Sequence, residues 1–337
     1  MTIVYAILIF CLLIFVHEFG HFIVAKACGV KVNEFAIGMG PAFFKRQKGE
    51  TTYSLRVFPI GGFCAMEGED EDSDDPRAFN RQPAWQRALV LAAGSFMNLL
   101  TCVVLLIIIA FWAGQPTTTL DKITPGSPAE AAGLKAGDTV VAVDGKAIKE
   151  WNDIITDLNG EDEKKTVEIT VKRDGKEMNF TCAPEYDKEQ KRYMIGIQPV
   201  SEHHLFGSIG AGIRNTGQMT AMMVNVLRQL FTGEVSVKEL SGPVGIVYAV
   251  NTTAKSGIMY VVYLTALLSL NLAIINMIPL PALDGGRLLF LLIRKITGKR
   301  VTDEMEGKIH FIGIMLLMLL MVYVTFNDVI RFILPIF

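Results

Sequence analysis

Apolar residues are concentrated in four long runs along this chain, with polar stretches between them. The runs that lack Asp, Glu, Lys and Arg are residues 1–17, 88–114, 256–283 and 309–327. A helix needs about 20 apolar residues to cross about 30 Å of hydrocarbon, and each run approaches or exceeds this length once its flanking residues are counted. The pattern therefore predicts a polytopic membrane protein with four transmembrane helices. The first run lacks a basic start and a small-residue cleavage site, which argues against a signal peptide.

Between the first two runs, the pattern changes to short β-rich segments. Residues 33–63 contain NEFAIGMGPAFF and TTYSLRVFPIGGF, interrupted by Gly and Pro and joined by a polar turn near Lys48-Gly49; this predicts a β-hairpin. The hairpin is apolar enough to re-enter the membrane, where irregular backbone is tolerated only inside protein or beside a wet cavity. Its open edge could pair with an extended peptide. An ordinary cytoplasmic hairpin is the alternative.

An acidic stretch follows the hairpin and completes the first region. EGEDEDSDD at 67–75 has seven acidic residues in nine, which is typical of a solvated loop. We assign residues 1–116 to the first two membrane helices, the hairpin and this acidic loop.

The polar middle of the chain, residues 117–200, predicts one small α+β domain. Ser127-Pro128 is a good helix start and Gly133 a good helix end. Asp144-Gly145 and Asp174-Gly175 each lie between two β-rich segments and predict hairpin turns. The run PGSPAEAAGLKAGDTVVAVDGKAI resembles the bacterial, circularly permuted PDZ domain. By that resemblance, the loop that binds a peptide carboxylate should contain Tyr193, Met194, Ile195, Gly196 and Ile197.

Residues 201–255 are amphipathic and lie before the third apolar run. The segment 208–230, SIGAGIRNTGQMTAMMVNVLRQL, carries two arginines and several amides. These groups favour a helix on the membrane surface, with a fifth transmembrane helix as the alternative. Residues 256–337 then hold the last two membrane helices and the LDG sequence at 283–285.

The distribution of basic residues predicts the orientation. They cluster between the first and second runs (Lys26, Lys31, Lys45, Arg46, Lys48, Arg77, Arg81, Arg87) and between the third and fourth (Arg287, Arg294, Lys295, Lys299, Arg300, Lys308). Four spans place both basic loops on one side, which the positive-inside rule assigns to the cytoplasm. Both termini and residues 115–255 are then expected outside.

Composition agrees with a membrane protein and excludes some functions. Of the 337 residues 51% are hydrophobic, and a net charge of −2 offers no basic field for nucleic acid. The five cysteines form no C-x-x-C pair, so neither a disulfide framework nor a cysteine zinc site is predicted.

The candidate chemistry lies inside the first apolar run. Ionisable groups are costly in hydrocarbon and usually carry function there, yet the run contains His17, Glu18 and His21. An H-E-x-x-H helix places two imidazoles on one face, where both can bind one Zn²⁺, and leaves the Glu free to act on water.

A catalytic zinc ion needs a third protein ligand. Asp284 follows 28 uncharged residues in NMIPLPALDGG, where two prolines end the helix and Gly285-Gly286 allow close approach. On the orientation above, it lies near the cytoplasmic side, as His17 does. A salt bridge with Arg287 is the alternative for Asp284. Asn276 could bind a substrate or transition state, or join two helices; Asn98 has the same structural alternative.

Two motifs together give the chain a family resemblance. HEFGHF at 17–22 and N-x-x-P-x-P-x-L-D-G-G at 276–286, on either side of the PDZ-like region and with SGPVGI at 241–246, resemble the site-2 protease family of intramembrane zinc metalloproteases. The resemblance covers nearly the whole chain. It implies one zinc ion per chain on His17, His21 and Asp284, with Glu18 as general base and Asn276 assisting the substrate or transition state. It also implies that the 33–63 hairpin is a membrane-reentrant β-loop.

The bacterial members that regulate sigma-E are most similar, and they imply the partners. Their substrates are single-span membrane proteins of the anti-sigma factor type, cut after an outer-side cleavage, and also remnant signal peptides. Peptide C-termini at the PDZ domain and the lipid bilayer are further partners. The implied location is the bacterial inner membrane, with the active site toward the cytoplasm. Two departures stand out: one PDZ domain instead of two, and Ser95 where the family often has proline.

Two other functions remain as alternatives. A catalytically inactive, PDZ-bearing membrane adaptor would be expected to lose part of the ligand set, but His17, Glu18, His21 and Asp284 are all present. A zinc transporter would repeat polar ligands along several spans, which this sequence does not.

Overall fold

The computed structural model describes residues 2–69, 71–159, 166–188, 192–236, 239–298 and 303–333; Asp70 of the predicted acidic loop lies outside them. The helices are α1 (Thr2–Ala27), α2 (Ala84–Ala113), α3 (Pro128–Ala132), α4 (Trp151–Leu158), α5 (Leu205–Thr232), α6 (Pro243–Ser256), α7 (Ile258–Asn276), α8 (Asp284–Thr297) and α9 (Asp303–Asp328).

The strands are β1 (Val32–Lys48), β2 (Thr51–Met66), β3 (Gln115–Ile123), β4 (Thr139–Val143), β5 (Lys146–Ala147), β6 (Val167–Arg173), β7 (Lys176–Cys182), β8 (Glu185–Asp187), β9 (Arg192–Met194) and β10 (Ile197–Glu202). The chain divides into two compact units. One, the membrane unit, comprises Met1–Ile109 with Gly212–Phe337, and the other comprises Ala110–Ala211.

Four helical segments of the described chain are long and apolar enough to cross a membrane. They are Val4–Ala27, Ala84–Ala113, Ile258–Asn276 and Glu304–Phe332. The four predicted spans are therefore confirmed by length and composition. Three of them extend beyond the uncharged runs, whereas Ile258–Asn276 is shorter than the run 256–283. The wider bounds arise because helices extend into the charged flanks, where the backbone still forms its own hydrogen bonds.

The predicted hairpin is present and is folded back on itself. β1 pairs antiparallel with β2 around a turn at Gly49-Glu50, and the segment Glu34–Ile37 lies between two parts of β2, Thr52–Leu55 and Gly62–Ala65. Gly38 and Gly40 have positive φ values of 87° and 84°, which glycine adopts at little cost, and they form the bend. The segment Gly62–Met66 thus reaches one border of a small sheet that packs on α1.

The predicted helix at 208–230 is present as α5, and its middle runs alongside α2. A Cβ atom at Gly212 would lie 2.4 Å from Ile107 Cγ1, and Thr216 interacts with the Cys102 side chain. Small residues permit this close approach of two helices. This part of α5 therefore packs along α2, a candidate membrane span, and the position of residues 201–255 on the membrane surface stays a prediction.

The SGPVGI sequence forms the start of α6 and binds the end of α9. The carboxylate of Asp328, 2% exposed, accepts hydrogen bonds from the backbone N–H groups of Gly242 (2.9 Å) and Gly245 (2.8 Å). A carboxylate satisfies the unpaired N–H groups of a helix N-terminus and suits its positive partial charge. α6 also packs on α1 and α7, so this contact joins the helices of the membrane unit.

The second unit contains the PDZ-like module, residues 117–200. Its main sheet has the strand order β10-β3-β4-β6-β7, with β5 paired to β4. The predicted Asp-Gly turns are confirmed: Asp144 and Asp174 have φ values of 47° and 50° between paired strands. The predicted cap is also confirmed, since Ser127 Oγ accepts the Glu130 N–H at 3.4 Å at the start of α3. The five cysteines are free thiols.

Candidate metal centre

Two histidines on α1 form one side of the candidate metal centre. His17 and His21 are one helical turn apart, and only 9% and 7% of their surfaces are exposed. Their Nε2 atoms are 3.2 Å apart, and their rings are nearly perpendicular, at 83°. The His21 Nδ1 atom lies 2.8 Å from the Val90 carbonyl oxygen on α2. Because a carbonyl oxygen can only accept a hydrogen bond, the Nδ1 atom of His21 must carry the proton. The Nε2 atom of His21 then presents its lone pair.

Asp284 is brought to the histidines by an irregular turn between α7 and α8. Its Oδ2 lies 3.2 Å from His17 Nε2 and 3.4 Å from His21 Nε2. The turn is tight: a Cβ atom at Gly285 would lie 2.4 Å from the Ile278 carbonyl oxygen. Arg287, the alternative partner of Asp284, pairs with Glu69. The structure therefore brings together the three predicted ligands, although Asp284 lies 263 residues after His21 in the sequence.

The three ligand atoms have the spacing that one zinc ion requires. Zinc–ligand distances of about 2.0–2.1 Å in a tetrahedron correspond to ligand separations of about 3.3–3.4 Å, and the three measured separations are 3.2, 3.2 and 3.4 Å. The Asp284 Oδ2 atom is buried and makes no hydrogen bond within the described part of the chain. Where both imidazole nitrogens present lone pairs, a buried carboxylate oxygen facing them is unfavourable unless a cation lies between them. The donor set therefore fits zinc.

Glu18 and Asn276 lie beside these ligands. Glu18 interacts electrostatically with His17, His21 and Asp284, and its Cγ would be 3.6 Å from a Cβ atom on Gly62 of β2. The Nδ2 atom of Asn276, the last residue of α7, lies 3.5 Å from His17 Nε2. Both predicted residues thus lie at the centre, and Glu18 faces the sheet.

The turn that carries Asp284 is supported by α9. Ala282 has a positive φ of 76°, which costs a residue with a Cβ atom about 1–2 kcal/mol. The Ala282 N–H donates to His310 Nδ1 at 2.7 Å, and a Cβ atom at Gly313 would lie 2.5 Å from Pro281 Cβ. Sequence reasoning did not assign these roles to His310 and Gly313, because contacts between distant helices leave no local pattern.

Helix α2 approaches the histidines at a glycine. A Cβ atom at Gly94 would lie 2.4 Å from His21 Nε2 and 2.6 Å from His17 Cε1, so only glycine fits there. α2 is one continuous helix through Ser95, where the family often has a proline. The sequence analysis singled out Ser95 but not Gly94, so the contact of Gly94 with the ligands was missed.

The predicted peptide loop of the PDZ-like module lines a separate cavity of about 310 Å³. Tyr193, Met194, Ile195, Gly196 and Ile197 lie on one side, and α4 lies on the other. The Tyr193 N–H donates to Asn159 Oδ1 at 2.6 Å, and Asn159 Nδ2 donates to the Tyr193 carbonyl at 3.3 Å. The side chain of Asn159 therefore pairs with both backbone groups of Tyr193.

Two histidines and an aspartate around one point, on segments of a helical membrane unit, define the class of intramembrane metalloproteases. A family model described as peptidase family M50 matches residues 5–320. The chain belongs to this family, whose members are zinc metalloproteases of the site-2 type, and the sequence-based resemblance is confirmed.

Relatives match over the full length. A Clostridium acetobutylicum protein is 39% identical over 331 residues, covering 98% of this chain and 97% of that one. The zinc metalloprotease RasP of Geobacillus kaustophilus is 34% identical, covering 98% of each chain. The regulator of sigma-W protease RasP of Bacillus subtilis is 32% identical, also covering 98% of each. These matches show that the chain is an integral membrane protein and an enzyme that uses zinc.

A solved structure resembles part of the chain. The PDZ domain of the SdrC-like protein of Listeria monocytogenes is 27% identical and covers 25% of this chain and 88% of that one, with a TM-score of 0.23. So low a score carries no argument, and the name PDZ-like rests on the sequence resemblance stated above.

Proposed function

We propose that His17, His21 and Asp284 hold the single catalytic zinc ion of this chain and that Glu18 is the general base. The observation that carries the proposal is the triangle of ligand atoms with sides of 3.2–3.4 Å. The inactive-adaptor alternative gains nothing from this geometry, because a chain without catalysis has no need to keep three buried ligands and an adjacent carboxylate.

The residues around the ligands suit peptide hydrolysis. When bound, zinc supplies a Lewis acid that activates water and polarises a carbonyl. The Glu18 carboxylate accepts the proton that this water loses and donates it to the leaving amine. The Asn276 side-chain amide, next to His17, donates a hydrogen bond to the substrate carbonyl or to the oxyanion that forms from it.

The β-hairpin offers a way to hold the substrate. The segment Gly62–Met66 pairs with β1 along one side, and Gly62 is the point where the sheet meets Glu18. An unwound substrate segment that pairs along its other side would bring a scissile bond to Glu18 and the ligands. The proposal therefore takes the hairpin to be the membrane-reentrant β-loop expected from the sequence.

The proposed substrates are transmembrane segments of single-span proteins in the bacterial inner membrane. A relative named regulator of sigma-W protease supports substrates of the anti-sigma factor type; remnant signal peptides are a second class. The basic loops support a cytoplasmic location for the active site, with both termini and the PDZ-like module outside. The cavity beside Tyr193–Ile197 is the proposed place for peptide C-termini.

The test is a Glu18→Gln variant co-expressed with a tagged single-span substrate. We expect the variant to keep its zinc, measured by metal mass spectrometry of the purified protein, and to lose cleavage, measured as accumulation of the uncut fragment. Glu50→Gln, at the hairpin turn, is the matched control and should cleave as the wild type does. Continued cleavage by Glu18→Gln would refute the assignment of the base.

A further inference from the structure

One face of α2 supports both histidines of the metal centre. Val90, Gly94 and Asn98 follow one another at intervals of four residues, so they lie on the same side of the helix. They face His17 and His21, which are also four residues apart. The Val90 carbonyl oxygen is 2.8 Å from His21 Nδ1, and the Asn98 side chain reaches His17 at the other end of this face.

Close packing fixes the distance between the two helices. A Cβ atom at Gly20 of α1 would lie 2.5 Å from the Ala93 carbonyl oxygen, and one at Gly94 of α2 would lie 2.4 Å from His21 Nε2. The two helices can approach this closely only because both positions are glycine. The Nδ1 atoms of both histidines therefore have α2 as their immediate neighbour.

Asn98 is enclosed beside His17. It has 0% exposure, its Nδ2 atom is 3.4 Å from His17 Nδ1, and its Oδ1 atom makes no hydrogen bond among the described residues. Its backbone carbonyl accepts the Ser269 hydroxyl at 2.7 Å, which holds this part of α2 against α7. A fully buried amide oxygen without a hydrogen-bond partner is unfavourable and calls for an explanation.

The explanation is the proton on His17. If His17 Nε2 binds zinc, Nδ1 carries the proton and needs an acceptor. Asn98 Oδ1 becomes that acceptor when the amide is turned by 180°, because the nitrogen and oxygen of an amide occupy nearly equivalent places. The turn gives the amide oxygen and the imidazole N–H a common hydrogen bond with no movement of the helices, and it moves the amide nitrogen to the former position of Oδ1.

We infer that Asn98 is a positioning residue that holds His17 in the Nδ1–H tautomer, as the Val90 carbonyl does for His21. The inference rests on the proposed ligand set. The two supports differ in kind: the support of His21 is backbone and survives any substitution at residue 90, whereas the support of His17 is one side chain. Loss of such an outer hydrogen bond typically weakens metal binding about 10- to 100-fold.

The test compares zinc affinity in purified full-length protein, by competition with a chelator. We expect Asn98→Leu, which keeps the volume but has no acceptor, to bind zinc about 10- to 100-fold more weakly. Asn98→Asp supplies a carboxylate acceptor and should restore the affinity. Ser95→Ala, on the same helix, is the packing control and should equal the wild type.

A second readout separates orientation from stability. In the Co²⁺-substituted protein, Asn98→Leu should change the visible ligand-field spectrum. In the metal-free protein, Asn98→Leu and Ser95→Ala should have the same melting temperature. Wild-type affinity and an unchanged spectrum in Asn98→Leu would overturn the inference, as would an Asn98→Asp protein as weak as Asn98→Leu. His21→Ala is included because undiminished zinc binding there would refute the ligand set itself, independently of Asn98.

Discussion

The PDZ-like module and the membrane unit are built on different principles. The module consists of short elements whose ends are specified by local residues, such as the N-cap Ser127 at a helix start and Asp144-Gly145 in a hairpin turn. The metal centre instead depends on residues from α1, α2, α7, α8 and α9 that meet only in the folded chain; His17 and Asp284, for example, are 267 positions apart. Local chemistry specifies the first region, and long-range packing specifies the second.

This difference predicts how each region responds to substitution. In the membrane unit, a single side chain should change metal binding or activity while the module stays folded. In the module, a buried ion pair should change stability while the metal centre keeps its zinc. The four substitutions below test this separation, beginning with the largest expected effect.

Removal of the third ligand should have the largest effect. Asp284→Ala leaves two imidazoles, and we expect the zinc content to fall to background and cleavage of a single-span substrate to fall about 10⁴-fold or more, since catalytic zinc sites use three protein ligands. Asp121→Ala, at an exposed position of β3 in the module, is the control and should retain both. Full zinc content in Asp284→Ala would show that the ligand set is wrong.

Gly94→Ala should be the next most harmful change. The added methyl group would lie 2.4 Å from His21 Nε2, so the helix or the imidazole must move, and a displacement near 1 Å costs about 100-fold in rate. Gly217→Ala, where a Cβ atom meets nothing within 4 Å, is the matched control. Equal initial cleavage rates for the two variants would disprove the close contact.

His310→Leu should have a smaller effect on the same centre. It leaves the Ala282 N–H without its acceptor, which costs about 1–3 kcal/mol and should slow cleavage about 10- to 100-fold. Ala282→Gly should be tolerated, because glycine accepts the positive φ at that position. His204→Leu serves as the exposed control. If His310→Leu cleaves like this control, the turn holds Asp284 without α9.

The smallest effect belongs to the module. Burial raises the pKa of Asp138, but the Arg173 guanidinium and the Lys135 backbone N–H lower it by more, so the net pKa lies below the ordinary value. Both oxygens of this 1% exposed carboxylate bind Arg173 at 2.6 Å. A lowered pKa in the folded state stabilises the module above the unfolded pKa of about 3.9, and this stabilisation is lost as the pH falls through the folded pKa.

Asp138→Asn should therefore lower the free energy of unfolding by about 1–3 kcal/mol at pH 7 and by much less at pH 3. The measurement is denaturant unfolding of the full-length chain followed by Trp151 fluorescence, with Trp85 and Trp112 replaced by Phe. Asp121→Asn is the control. A destabilisation of equal size at both pH values would contradict the role of the ionised pair.

The same contrast explains what the sequence alone could predict. The turns and helix caps of the module could be predicted because they require particular residue types at particular positions. Gly145 in a hairpin turn and Gly133 at a helix end are examples. The metal ligands could be predicted because His17, His21 and Asp284 interrupt or end apolar runs, where ionisable groups are rare.

The residues that support the metal ligands could not be predicted in this way. Gly94 and Gly313 are ordinary in apolar helices, and His310 has no sequence pattern that links it to Ala282 28 residues earlier. The packing of α5 along α2 was missed because amphipathicity reports one apolar face and not which partner covers it. Only the contacts between distant segments define these roles.

The most direct test of the account is anomalous diffraction at the zinc edge from crystals of the zinc-loaded, full-length protein. We predict one peak per chain within about 2.0–2.2 Å of His17 Nε2, His21 Nε2 and a carboxylate oxygen of Asp284. A peak bound by other residues, or well-ordered side chains at these three positions with no peak between them, would contradict it.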